Sequence, residues 1–273
     1  MTRQSQKLIF FTKLEAKMTR VTNLYSLLYL PKEMKRIRHS LFLVVLLAFN
    51  HLAYAQQNVR TMKFVDANIG IGDTEGSLAV SFNLDRNLGK NKKFVIGFGG
   101  RFTSYLGKNQ YYLTAPAKLT SGSTGPGVLF KENIMANMDT FLIKTAKVNS
   151  LNLLLTLGYN VSERLMLRFN IDAIGFSFGK KTSGNYINGS QGAVETSGPS
   201  SFNLLLISDN DRGSLNSELF GRYLLNDKWG VKGGIQFLFT EFTTDTEAQQ
   251  FPEPNDRFRN KSLMFSAGIS YKL

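Results

Sequence analysis

From about residue 60 to the end of the chain, apolar side chains recur at every second position in stretches of ten to fifteen residues. The last stretch is the clearest. Leu263, Phe265, Ala267, Ile269, Tyr271 and Leu273 alternate with Met264, Ser266, Gly268, Ser270 and Lys272. Leu151, Leu153, Leu155, Leu157 and Tyr159 form a second row, and Trp229, Val231, Gly233, Ile235, Phe237 and Phe239 a third. A period of two places such residues on one face of a β-strand and their neighbours on the other. From Arg164 the row Leu165, Leu167, Phe169, Ile171 is carried on by Ile174, Phe176 and Phe178. The parity therefore slips near Ala173–Ile174, which predicts a β-bulge.

Eight strands follow from the pattern: 60–71, 75–86, 93–105, 148–160, 164–179, 213–225, 229–242 and 258–273. The connections at 87–92, 161–163 and 226–228 are short and polar, whereas those at 106–147, 180–212 and 243–257 are long. The remaining connection, around Asp73-Thr74, is a short one on the long-loop side. No run of 18 apolar residues follows residue 55, so no helix is expected to span a bilayer. Short turns on one side, long loops on the other and an even strand number predict an all-β fold, an eight-stranded antiparallel transmembrane β-barrel. Ten strands are the alternative, if the run Phe202 to Ile207 pairs with part of 106–147. Tyr111, Tyr112, Val128, Leu129 and Phe130 predict that the first long loop folds back on something, while the Gly- and Ser-rich 182–201 is expected to be mobile.

The beginning of the chain has a different character. From Met34, Lys35, Arg36 and Arg38 form a basic start, Leu41 to Phe49 an apolar run, and Ala53-Tyr54-Ala55 an A-x-A cleavage site. Nine apolar residues are too few for a spanning helix, which needs about 20. Residues 34–55 are thus expected to be a secretory signal peptide cleaved before Gln56, residues 1–33 an upstream extension preceding the true start at Met34, and 56–273 the barrel domain. This changes the charge. Residues 1–55 hold nine Lys/Arg and two Asp/Glu, so the formal charge of +13 falls to +6 without them. The remaining basic residues are scattered singly, with no basic helix, and nucleic-acid binding is not expected. There is no cysteine, which excludes disulfides, zinc–thiolate sites, thiol nucleophiles and a lipid-anchored cysteine. Both histidines, His39 and His51, lie in the signal, so a nucleophilic serine would lack its usual base. No enzymatic activity, cofactor or metal is expected. Gly97, Gly99 and Gly100 sit within a strand and are no phosphate loop.

If the Leu-rich face meets lipid, the opposite face carries Asp66, Asn68, Ser81, Asn83, Arg101, Thr103, Arg168, Asn170, Asp172, Asn216, Glu218, Arg222, Lys232 and Gln236. A basic side chain at the bilayer midplane costs about 2–4 kcal/mol, so these residues belong in the lumen. There Arg101, Arg168, Asp172, Glu218, Arg222 and Lys232 are expected to form a polar network. Eight strands leave just enough room for side chains to fill the interior, which predicts a plugged barrel. Tyr159, Tyr223, Trp229 and Tyr271 fall at the periplasmic ends of the apolar rows, as an interfacial aromatic girdle does.

The signal with Ala53-Tyr54-Ala55, hairpins such as Leu157 to Leu167 and the closing SLMFSAGISYKL resemble the small outer-membrane β-barrel domains of the OmpA-transmembrane or OmpW-like type. The resemblance covers Gln56 to Leu273. It implies a Gram-negative, porin-like outer-membrane protein whose partners are outer-membrane lipid and the barrel assembly machinery. In that family the last strand usually ends in an aromatic residue; here Tyr271 stands two before the terminal Leu273. The role expected is structural or surface-interacting through the long loops. A small-molecule channel or transport barrel is the first alternative. A secreted lipocalin-like barrel is the second, because alternation alone does not say which face is inside.

Overall fold

The computed structural model describes residues 61–124, 128, 130–187, 192–206 and 208–273. The expected upstream extension and signal, with Ala53, Ala55 and Gln56, lie outside the described residues, as do Leu129 and Ile207. Eleven strands form one antiparallel sheet: β1 (Thr61–Ile71), β2 (Glu75–Leu88), β3 (Phe94–Thr114), β4 (Thr140–Asn160), β5 (Leu165–Phe178), β6 (Thr182–Tyr186), β7 (Ala193–Pro199), β8 (Phe202–Leu204), β9 (Leu215–Leu224), β10 (Trp229–Thr244) and β11 (Arg257–Lys272). A single helical turn, α1 (Ala117–Ser121), follows β3.

Eight of these strands close a ring. β1 pairs with β2, β2 with β3, β3 with β4, β4 with β5, β5 with β9, β9 with β10, β10 with β11, and β11 back with β1. Closure leaves no unpaired strand edge. At one end of the ring the turns are tight and built by local chemistry. Ser162 Oγ accepts the amides of Arg164 and Leu165 between β4 and β5. The Asn226 side-chain oxygen accepts those of Lys228 and Trp229 between β9 and β10. Short polar side chains bonding their own backbone are what a tight turn requires. The expected bulge is present: Leu153 faces Ile174 while Leu154 faces Asp172, leaving Ala173 as the extra residue.

At the other end the wall continues, and here the structure corrects the sequence. β3 and β4 run on to Thr114 and back from Thr140, so both ends of the segment 106–147 extend the strand pair and only its middle connects them. Within the Gly- and Ser-rich 182–201, expected to be mobile, Thr182–Tyr186 and Ala193–Pro199 are the antiparallel strands β6 and β7. The Phe202 run is a short strand, but its partner is β5 and not the 106–147 segment, so it adds no strand to the ring of eight. Above that ring, β3–β4–β6–β7–β10–β11 close on themselves, the last contact joining Phe258 and Arg259 to Thr114 and Leu113. A narrower ring of six strands therefore sits on the ring of eight.

The two rings have opposite polarity. In the ring of eight the exposed face is apolar: Val65, Ile69, Leu78, Val80, Phe98, Phe102, Leu153, Leu155, Leu167, Leu219, Ile235, Leu263 and Phe265 all face outward. The charged residues in the middle of these strands, such as Asp66, Arg101, Asp172 and Lys232, are buried inside, whereas Lys63 and Arg86, near the tight-turn end, are exposed. In the ring of six the interior is apolar, with Tyr112, Phe141, Ile143, Tyr186, Phe242 and Phe258 in one buried cluster. The change comes where β3 slips parity at Lys108–Asn109, both exposed, with Asn109 at a φ of 50°. β4 slips alongside it at Lys144–Thr145.

Candidate functional site

The inside of the ring of eight is a column in three layers. The lowest, at the tight-turn end, is apolar: Met62, Phe64, Met166 and Leu224 pack together and are buried. These side chains stand on the otherwise polar face of β1, β5 and β9, close to the strand ends. The Arg222 guanidinium lies 3.9 Å above the Phe64 ring, joining this layer to the next.

The middle layer is ionic, and each charge in it has a counter-charge. Arg222 donates to Asp66 at 2.7 Å and to Ser270 at 2.9 Å. Arg168 bonds Asp85 at 2.8 Å. Lys232 reaches Glu218 at 2.9 Å and lies 3.8 Å over the Phe220 ring. Arg101 sits between two carboxylates, with Nη2 at 2.6 Å from Asp172 and Nη1 at 3.6 Å from Glu218. Asp172 also accepts Asn152 Nδ2 at 2.7 Å and the Asn216 amide at 3.0 Å. Four cations thus face four carboxylates. The structure places all six expected lumen residues here and links five of them, Arg101, Asp172, Glu218, Arg222 and Lys232, into one connected set, with Asp66 bridging Arg222 to Lys232. Arg168 forms a separate pair with Asp85. Such buried charges are tolerated only when paired and hydrogen-bonded.

The top layer is the aromatic core of the ring of six. Phe258 packs on Phe141 at 5.5 Å and on Tyr186 at 6.2 Å, and Tyr112 meets Phe242 edge-on at 5.1 Å. The Tyr112 hydroxyl is satisfied by Thr240 at 2.9 Å. Burial of Tyr186, together with its bond to Asp139, pushes its hydroxyl well above the usual tyrosine range. Neither apolar layer was recognised from the sequence. The lower one had a visible signal, since Met62, Phe64, Met166 and Leu224 interrupt a polar row near its end.

On the outside of the wall, a clamp holds the segment before β9. Glu241 faces outward from β10 yet is buried, and its amide donates to Ser214 Oγ at 3.2 Å. It accepts Arg257 at 2.9 and 3.0 Å and Arg259 at 2.8 Å, while Lys261 bonds Asp209 at 2.8 Å. Burial alone would raise the Glu241 carboxyl, but the two guanidinium groups outweigh it and hold the group below the usual carboxylate range.

The girdle residues lie at the tight-turn end. Trp229 packs edge-on against Tyr271 at 4.8 Å, and Tyr159 against Phe94 at 5.3 Å. Tyr223 is exposed on β9 beside Val231. Among the described residues no cluster of His, Cys, Asp and Glu is placed to hold a metal ion, and no helix is long and apolar enough to cross a membrane.

No protein-family model and no curated protein matches the chain. Several solved structures align with the chain. Neisserial surface protein A aligns with a TM-score of 0.35 at 10% identity, over 80% of this chain and 100% of that one. Ail of Yersinia pestis aligns at 0.34 and 8%, over 78% and 100%. A major outer membrane protein from Thermus thermophilus aligns at 0.35 and 11%, over 78% and 99%. The structural neighbours are small outer-membrane β-barrel proteins.

Proposed function

We propose that the chain is an outer-membrane β-barrel with a structural or surface-interaction role and no catalytic activity, and that its interior is a plug and not a passage. Its apolar outer face supports insertion. Leu263 to Tyr271 extend about 27 Å along the strand at about 3.4 Å per residue, or about 20 Å in height at a tilt of about 40°. The lipid-facing band of such barrels is about 25 Å tall. An exposed belt of this kind on a closed ring suits acyl chains and not water. The same belt argues against a secreted barrel with its apolar face inward.

The observation that carries the plugged interior is the layering of the lumen. A paired ionic layer is shut below by Met62, Phe64, Met166 and Leu224, and above by the aromatic column. An ion or polar solute would have to cross both apolar seals and break buried ion pairs. An open diffusion pore keeps a water-filled lumen without such seals, so the balance falls on the side of recognition at the outer end. The tight-turn end faces the periplasm and the ring of six projects outward, which puts the longer connections at the cell surface. Fractionation of cells expressing the chain tests the location. It is expected in the outer membrane, with folded protein migrating faster before boiling than after. A monomer that stays folded in buffer without detergent would overturn the proposal.

A further inference from the structure

At the outer end of the ring of six lies an open cavity of about 680 Å³. Its floor is the top of the aromatic column, where Tyr186 is buried and Ala193 and Ala248 pack against the cluster. Asp139, Glu195 and Glu247 line it, and among the described residues no basic side chain does. Phe251 also borders the cavity while leaving 82% of its surface exposed. The volume lies in the range of small-molecule sites, about 300–1,000 Å³.

The bonding around the carboxylates matters as much as their number. Asp139 is held by the Tyr186 hydroxyl, and Glu195 by Thr246 Oγ1 at 2.8 Å. Both donors are neutral, so they orient the carboxylates without cancelling their charge. Two lysines near this end are engaged away from the cavity, Lys181 with Asp245 and Lys118 with Glu253, each at 2.6 Å. An apolar floor, an accessible aromatic ring and uncompensated negative charge complement one class of molecule: an apolar or aromatic body carrying an amine or quaternary ammonium group. A cation over an aromatic face gains about 0.5–2 kcal/mol according to its desolvation. We propose that the cavity binds small organic cations of this class. The packed column beneath holds the ligand at the surface and gives it no route inward. The proposal rests on the barrel reading above, which puts this end outside the membrane.

The test uses the chain refolded in detergent micelles, its folded state verified by the difference in migration before and after boiling. Benzyltrimethylammonium is titrated by calorimetry, with benzyl alcohol and benzoate as the neutral and anionic comparators. Saturable 1:1 binding of the cation is expected, about tenfold or more tighter than benzyl alcohol, with none for benzoate. The pair Glu195→Gln and Glu247→Gln weakens it about tenfold, and Phe251→Ala several-fold. Non-saturable uptake, equal uptake of all three compounds, or affinity unchanged in these variants would overturn the proposal. Absent binding with the fast-migrating form intact overturns the cavity alone, whereas loss of that form overturns the barrel reading as well.

Discussion

The pair between Arg101 and Asp172 tests whether the lumen is dry. The Asp172 carboxylate accepts four bonds, from Arg101 Nε at 3.0 Å and Nη2 at 2.6 Å, Asn152 Nδ2 at 2.7 Å and the Asn216 amide at 3.0 Å. All four partners are donors. Asp172→Asn keeps the shape but turns one acceptor into an NH₂ group, so that donor meets donor on one side. Arg101 keeps only Glu218, at 3.6 Å, as a counter-charge. Removing one partner of a dry ion pair costs about 3–5 kcal/mol, because the other charge is left buried. If water filled the lumen, the same change would cost about 1 kcal/mol or less, as exposed pairs do.

The chain supplies its own control and reporter. Lys118 and Glu253 form a pair at 2.6 Å with side chains 62% and 51% exposed, so Glu253→Gln is expected to change stability by under about 1 kcal/mol. Trp229 is the only tryptophan and packs on Tyr271, so its fluorescence follows unfolding of the barrel. In urea titrations of protein refolded into lipid vesicles, Asp172→Asn should lose about 3 kcal/mol or more. Replacing both partners, as in Arg101→Met with Asp172→Leu, should recover much of that loss. Equal, small effects of Asp172→Asn and Glu253→Gln would show that solvent reaches the pair, and the plugged interior would be refuted.

Three further outcomes follow from the geometry. In planar bilayers the refolded chain should give no discrete current steps, and a reproducible unitary conductance would contradict the two seals. Gly99 faces inward, where a Cβ would lie 2.0 Å from the Phe82 carbonyl oxygen, whereas a Cβ on its neighbour Gly100 would meet nothing within 4 Å. Gly99→Ala should therefore destabilise by about 1–3 kcal/mol, against no loss for Gly100→Ala, and equal midpoints in urea would defeat the register. The Glu241 clamp should depend on acid: a carboxyl held low in the folded chain stabilises above the unfolded value of about 4.3 and loses that contribution as pH falls through its folded value. Protease sensitivity of residues 205–214 should stay flat from pH 7 to about 5 and rise below about 4, while Glu241→Gln should be sensitive throughout.

Much of the ring of eight was legible because its rule is local. A lipid-facing row shows every second residue, and a bulge shows as a slip in parity, as at Ala173. The inward face of Arg101, Asp172 and Lys232 follows from the same count. Their partners do not, since Asn68 and Glu218 meet across 150 residues of chain at 3.2 Å and closure alone brings them together. The ring of six was hidden for a different reason. The slips at Lys108–Asn109 and Lys144–Thr145 end the readable alternation, and beyond them both faces are apolar, with Tyr112 buried while Tyr111 and Leu113 are exposed. Its remaining strands, β6 and β7, are short, and Ser, Thr and Gly in them give little strand signal. Their place is set by pairings such as Phe141 with Tyr186 and Phe242 with Pro199, which no local pattern encodes.

The inversion of polarity along single strands links fold to role. Within a bilayer a closed ring satisfies its backbone internally and matches its outside to lipid, so its interior is free to be polar. A ring that continues past the bilayer loses the lipid and must build a core of its own from burial of apolar surface. β3 obeys both rules in turn. Arg101 and Thr103 point inward and Phe102 outward below the slip, while Tyr112 points inward above it. Lysines 108 and 144 stand exposed at the change, where a charged group first finds water again. The aromatic core that stabilises the projecting ring is also the material that closes the lumen. On the proposed reading, an eight-stranded barrel extended in this way gains a platform outside the membrane by giving up a path through it, which ties the expected absence of conductance to the presence of the ring of six.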